Sequence, residues 1–165
     1  MKGASVLHPP PRPVPDRPGQ TPEDGAVMSQ AADSQSVTIP AVPEQVRAAR
    51  AFVSGALEES CAYVEVALLL AGELVTNSVE HSGSAVAGGV VTVTVAAGDK
   101  VVRVEVTDRS GDGVPVLRPA ADAADGEAEG GRGLRLVDML SARWGYQCGG
   151  GLAPTWFELI QADQS

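Results

Sequence analysis

The spacing of apolar residues changes along the chain, and each spacing predicts a different type of element. Residues 62–81 carry apolar side chains every three or four positions, as an amphipathic helix does. Residues 101–108 instead alternate branched with charged side chains, which is typical of a strand with one buried face. The same reasoning predicts, in chain order, strand 36–40, helix 43–59, helix 62–81, strands 90–95 and 101–108, helix 133–140, and a closing strand pair at 142–148 and 154–161.

These elements predict an α+β fold, a two-layer α/β sandwich in which helices cover one face of a mostly antiparallel sheet. A chain of 165 residues has room for one such domain, which we expect at residues 37–161. Residues 1–36 are rich in proline and poor in aliphatic periodicity, so we expect a disordered tail, and residues 162–165 form a short second tail. Residues 115–129 lack large apolar groups and predict a mobile loop, with a lid as one possible use.

Composition and charge restrict the location and the partners. The formal net charge of −9 argues against direct nucleic-acid binding and favours a basic protein partner, although acidity also serves solubility alone. We expect a cytoplasmic protein that does not enter a membrane, because no signal peptide and no apolar run of about 20 residues is present. Cys61 and Cys148 lie far apart without zinc-type spacing, which predicts reduced, structural thiols.

An acid and an amide lie one turn apart near the end of the second predicted helix. Glu73 and Asn77 are four residues apart and therefore project from the same face. The Asn77 carbonyl could complete the oxygen shell of a magnesium ion already held by phosphates, and Glu73 could accept a proton from an attacking hydroxyl. The alternative is an ordinary solvated helix face. His81, one turn further, has no second ligand at metal spacing and is interpreted as a capping or packing residue.

A second polar position lies where the second hairpin strand ends. Asp108 is followed by Gly111 and Gly113, which would allow the backbone to approach a flat ligand closely. Its carboxylate can accept a hydrogen bond from an amino group such as that of adenine. A glycine-rich turn that starts with Asp is the alternative interpretation.

Three glycines open the last predicted helix and give the strongest single signal. With Gly130, Gly131 and Gly133 at its entrance, the helix would present free N–H groups where its dipole favours negative charge, which suits a phosphate. A structural hinge is the alternative. The chain has no G-x-x-x-x-G-K-[ST] motif, and these glycines do not follow a strand with Rossmann spacing.

Taken in order, these segments resemble the N box, G1 box and G2 box of the GHKL, or Bergerat-fold, ATP-binding superfamily. The quoted segments are residues 72–81, 106–108, 130–134 and the terminal 156–159, and the resemblance extends over about residues 36–161. Within the superfamily the motif sequences are most similar to those of the bacterial anti-sigma factor serine/threonine kinases.

The resemblance implies ATP and Mg²⁺ as cofactors and assigns a role to each motif. Asn77 would bind Mg²⁺, Asp108 the adenine amino group, Gly131 and Gly133 the phosphates, and Glu73 would act as the base toward a protein serine. The remaining nucleotide contacts are implied at Gly111, Gly113, Gly130, Arg132, Leu134 and Thr155.

The resemblance also implies partners, namely a sigma factor, an anti-anti-sigma protein of the STAS type, and a second copy in a homodimer. Two features depart from the family pattern. Ser110 and Asp112 replace both glycines of the usual D-x-G-x-G, and Glu129 stands where some relatives have a basic residue. The alternative function is therefore a nucleotide-gated binding module that sequesters a sigma factor or another partner without phosphoryl transfer.

Overall fold

A computed structural model describes residues 33–57, 62–81, 87–109, 132–147 and 151–160. Each predicted element is present. The elements are β1 (Ser34–Pro40), a 3-10 turn (Pro43–Gln45), α1 (Val46–Ala56), α2 (Val64–His81), β2 (Val90–Ala97), β3 (Val101–Arg109), α3 (Arg132–Leu140), β4 (Arg143–Tyr146) and β5 (Leu152–Ile160).

The largest boundary difference concerns the predicted helix 43–59. Its first three residues form a 3-10 turn with Pro43 at the start, where the missing N–H of proline costs nothing. The α-helix ends at Ala56, because Leu57 has extended backbone angles and turns its buried side chain into the core. The closing strand β4 is also shorter than the predicted 142–148.

The strands form one antiparallel sheet in the order β1-β2-β3-β5-β4. Branched residues alternate along β2 and β3, so that one face of the sheet is apolar and packs under the helices. This arrangement confirms the predicted two-layer α+β fold. The core residues that are less than 2 % exposed and largest in volume are Phe157, Leu70, Leu74, Val53, Val75, Val91, Val93, Val95, Val104, Val106 and Val137.

The opposite, outer face of the sheet is polar. Hydroxyl pairs join β1 to β2, with 2.9 Å between the side-chain oxygens of Ser36 and Thr94 and 2.9 Å between those of Thr38 and Thr92. The helices of the described ranges therefore cover the inner face, as predicted. No helix within the described ranges is long and apolar enough to cross a membrane.

Trp156 lies on this outer face against the backbone of Gly145. An ideal Cβ at Gly145 would be 2.8 Å from Cζ2 of Trp156, a distance that real Cβ atoms essentially never show. On the indole, the Arg103 guanidinium carbon lies 4.0 Å from the ring centroid, and this arginine also pairs with Glu105 at 3.3 Å and Glu158 at 3.1 Å. The indole is thus held in place and has little freedom to move away.

Gly145→Ala is expected to destabilise the fold by about 1–3 kcal/mol through overpacking against this indole. Thermal unfolding followed by circular dichroism measures the effect. Gly55→Ala is the matched control, because nothing lies within 4 Å of an added Cβ at this position inside α1. There alanine should raise stability by up to about 1 kcal/mol. An equal change in both variants would contradict the steric explanation.

Candidate functional site

Helix α2 presents Glu73 and Asn77 at the margin of the core. The preceding and following turns bury Leu70, Leu74 and Ser78, whereas Glu73 and Asn77 are half-buried. This differs from a simple solvated face, such as the one on which Glu65 lies exposed on the same helix. Both predicted site residues therefore stand on a rigid element with their polar ends still accessible.

The first turn of α3 lies directly against Glu73. An ideal Cβ on Gly133 would be 2.8 Å from Oε2 of Glu73, 3.3 Å from its Cβ and 3.7 Å from its Cδ. Leu134 and Val137 are buried and fix α3 in the core at this position. Gly133 is thus required for the close approach of two helices, which is a more specific role than that of a hinge.

Asp108 and Thr155 lie on the inner face of the sheet, near the end of β3. In the register between β3 and β5, Asp108 pairs with Ala153 and Val106 pairs with Thr155. Asp108 and Thr155 are therefore diagonal neighbours on one face, and they are only 8 % and 9 % exposed. A carboxylate that merely began a glycine-rich turn would be expected in solvent, so this burial favours a recognition role for Asp108.

The carboxylate of Asp108 is not isolated in the core, since it has an interaction partner in the structure. Within the described ranges, every buried side-chain nitrogen or oxygen has a hydrogen-bond partner. The buried polar side chains at this end of the sheet therefore have hydrogen-bond partners and belong to the folded core.

Several predicted site positions lie outside the described residues. They comprise the loop glycines and their neighbours, the proposed lid, and two side chains whose backbones are described within helices. These positions are Ser110, Gly111, Asp112, Gly113, 115–129, Glu129, Gly130, Gly131, and the side chains of His81 and Arg132.

Sequence reasoning assigned no role to Gly72 and Arg50, which lie against each other where α1 packs on α2. An ideal Cβ on Gly72 would be 3.3 Å from Cδ of Arg50, so the stem of this arginine on α1 packs on α2 at Gly72. A glycine inside a helix costs about 1 kcal/mol relative to alanine. A glycine at position 72, inside a predicted helix, therefore indicates that another segment of the chain approaches closely there.

The described residues contain no group of three or more His, Cys, Asp or Glu side chains that could hold a metal ion. Magnesium fits this donor set only in the way it commonly binds, through one or two protein oxygens and the phosphates of a substrate. The half-buried Asn77 amide suits that role, because its carbonyl oxygen is a ligand type that Mg²⁺ accepts.

An antiparallel sheet covered by helices, with Glu73 of α2 against the first turn of α3, defines the protein's class. A family model described as histidine kinase-like ATPase domain matches residues 39–153, and the chain belongs to this family. ATP binding follows from membership. A comparison with the curated proteins gives no match.

Among solved structures the chain is similar to the RsbU and RsbW domains of Rv1364c from Mycobacterium tuberculosis. The two share 22% sequence identity with a TM-score of 0.52 over 78% of this chain. This likeness extends over 32% of the other chain, so the protein spans about a third of that structure's length. It supports the same fold.

Proposed function

We propose that this protein is a Mg²⁺-dependent protein serine/threonine kinase that uses ATP to phosphorylate a STAS-type anti-anti-sigma partner and thereby controls a sigma factor. The observation that carries the proposal is the contact between the half-buried Glu73 and the first turn of α3 at Gly133. It puts a proton acceptor beside the helix end that suits phosphates. Similarity to an RsbW domain agrees with the resemblance to anti-sigma factor kinases.

The candidate site residues then each contact one part of the nucleotide. Asp108 accepts a hydrogen bond from the adenine amino group, and Thr155 lies beside it on the inner face. The N–H groups at the start of α3, from Arg132 to Leu134, bind phosphate oxygens together with the preceding glycines Gly130 and Gly131. Asn77 would hold Mg²⁺ from the protein side, and the bound ion would neutralise phosphate charge.

Glu73 is the catalytic residue of the transfer step. It accepts the proton of the partner's serine hydroxyl while the Oγ–Pγ bond forms and the bond from Pγ to the departing ADP oxygen breaks. The negative charge that moves onto ADP remains next to the positive end of α3. Positioning and charge stabilisation account for most of the catalysis that phosphoryl transfer needs, so this small set of groups is sufficient.

The direct test is incubation of the full chain with γ-labelled ATP, Mg²⁺ and a panel of STAS-type proteins. We expect label on a serine or threonine of at least one of them, located by mass spectrometry. Failure to label any member, with ATP bound normally, would contradict the kinase proposal.

That failure would favour the second candidate function, a nucleotide-gated module that sequesters a sigma factor without chemistry. The departures at Ser110, Asp112 and Glu129 from the family pattern support this candidate. It predicts that ATP alters the affinity for the partner and that no stoichiometric phosphorylated partner accumulates. Stoichiometric phosphorylation that depends on Glu73 would contradict it.

Asp108→Asn is expected to weaken ATP binding by about 10- to 100-fold, because a hydrogen bond to a charged acceptor contributes about 1.5–3 kcal/mol. Isothermal titration calorimetry measures the loss. Glu105→Gln is the matched control, since Glu105 lies on the same strand but on the outer face. An unchanged dissociation constant in Asp108→Asn, with the far-ultraviolet spectrum retained, would contradict the adenine assignment.

A further inference from the structure

A groove between α1 and α2 lies outside the proposed ATP site. Its volume is about 540 Å³, and its lining includes Arg47, Arg50, Ala51 and Ser54 on α1 and Leu68 on α2. The four residues of α1 are exposed and Leu68 is half-buried, so the groove opens to solvent. An open cleft between two packed helices is the kind of surface into which an amphipathic helix of another protein can dock.

The charge of this groove is opposite to that of the whole chain. The chain has a formal net charge of −9, but α1 contains two arginines and no acidic residue. None of the described residues that line the groove is an aspartate or a glutamate. Arg47 and Arg50 are three positions apart and therefore project from the same side of α1. The groove is thus a local positive surface on an acidic protein.

The two arginines of the groove are available for a partner. In the described part of the chain neither forms an ion pair, whereas Arg103 on β3 pairs with two glutamates. The stem of Arg50 packs on α2, where its Cδ is 3.3 Å from the position of an ideal Cβ on Gly72. This packing restricts the guanidinium before any partner arrives, so binding costs less side-chain entropy. Ala51 and Leu68 add an apolar strip beside the charges.

We propose that this groove binds an acidic amphipathic helix of a partner protein, with two carboxylates one turn apart and an aliphatic side chain on the same face. The carboxylates accept hydrogen bonds from the guanidinium groups of Arg47 and Arg50, whose planar fork matches a carboxylate. The aliphatic side chain lies on Ala51 and Leu68, and the Ser54 hydroxyl donates a further hydrogen bond. The net negative charge of the chain repels such a helix from other surfaces, so the charge pattern directs it to α1.

The probe is a short alanine-based helical peptide that carries two glutamates one turn apart and a leucine on the same face. A matched peptide has glutamines at both acidic positions. Each peptide is titrated into the isotope-labelled full chain and followed by heteronuclear NMR. We expect the glutamate peptide to shift the amide signals of α1 and Leu68. At low salt it should bind about 4- to 25-fold more tightly than the glutamine peptide, because each of two exposed ion pairs contributes about 2- to 5-fold. At about 0.5 M salt the two affinities should converge.

Substitutions test whether the two arginines cause this preference. Arg47→Gln should weaken binding of the glutamate peptide by about 2- to 5-fold and leave the glutamine peptide unchanged. This variant keeps the packing of Arg50 on Gly72, so its result does not depend on that contact. Adding Arg50→Gln should abolish the preference, whereas Arg47→Lys with Arg50→Lys should keep most of it because the charge remains. Arg143→Gln is the matched control, since Arg143 is exposed on β4 and outside the groove.

Equal affinity of wild type for the two peptides would overturn the proposal, as would amide shifts confined to residues outside α1 and α2. A preference that persists when both arginines are replaced by glutamine would show that the charges of the groove are not its source. If free glutamate at equal carboxylate concentration shifts the same amides as strongly, the groove takes small anions and the docked helix is wrong. The proposed kinase function stands in each case, because none of the described nucleotide contacts lines the groove.

Discussion

Glu73→Gln is expected to reduce phosphoryl transfer to a STAS-type partner by about 10²- to 10⁴-fold, the range that general acid–base catalysis contributes. Glutamine has the size and shape of glutamate but cannot accept the serine proton as a carboxylate does. Glu73 is half-buried against Gly133 in the first turn of α3, where the proposed function needs the proton acceptor. ATP remains bound in the variant, because the adenine and phosphate contacts proposed above do not use this side chain.

Single-turnover transfer from γ-labelled ATP, at saturating ATP and partner, isolates the loss in the chemical step. Glu65→Gln is the matched control. It should transfer label at the wild-type rate, because Glu65 lies on the same helix but is exposed. A transfer rate in Glu73→Gln within about threefold of wild type would show that another group accepts the proton, or that deprotonation contributes little.

Phe157→Ala is expected to lower the free energy of unfolding by about 3–5 kcal/mol. Phe157 is fully buried in β5, where its strand partners are Val104 on β3 and Trp144 on β4. Removing the ring leaves a cavity in the middle of the sheet's inner face that fixed strands cannot close. Because domains of this size are stable by only about 5–15 kcal/mol, much of the variant should unfold in mild denaturant.

Urea unfolding followed by tryptophan fluorescence measures this loss through the midpoint and slope. Ile160→Ala serves as the control, since Ile160 ends the same strand and is 39% exposed. Its expected cost is below about 1.5 kcal/mol, because a large part of its side chain is already in contact with water and truncation leaves no enclosed cavity. Similar losses in the two variants would indicate that the inner face repacks around the missing ring.

The sequence predicted the type and order of the elements well, because helix and strand periodicity is local. Alternation along β3 and the wide apolar stripe of α2 each depend on residues a few positions apart. Boundaries were less accurate. The helix predicted at 43–59 ends at Ala56, since the side chain of Leu57 is drawn into the core by packing that no local pattern reveals.

The residues of the candidate site remain a prediction from the sequence, and the structure adds their contacts. Glu73 and Asn77 share a helix face by spacing alone, and the structure agrees. Gly133 was predicted as a phosphate residue because of its place at a helix start. That it also makes room for Glu73, and that Gly72 makes room for Arg50, requires the positions of three helices at once.

By itself, the sequence determined an α+β domain, the faces of its helices and strands, and the residues that resemble an ATP site. Only the tertiary structure decided the strand order, in which β5 lies between β3 and β4 and brings Thr155 beside Asp108. It also decided that Gly133 meets Glu73 across 60 positions of sequence. Periodicity in the sequence specifies which face of a helix or strand is buried, but not which residues cover that face. The covering residues are decided when complementary side-chain surfaces pack closely in three dimensions.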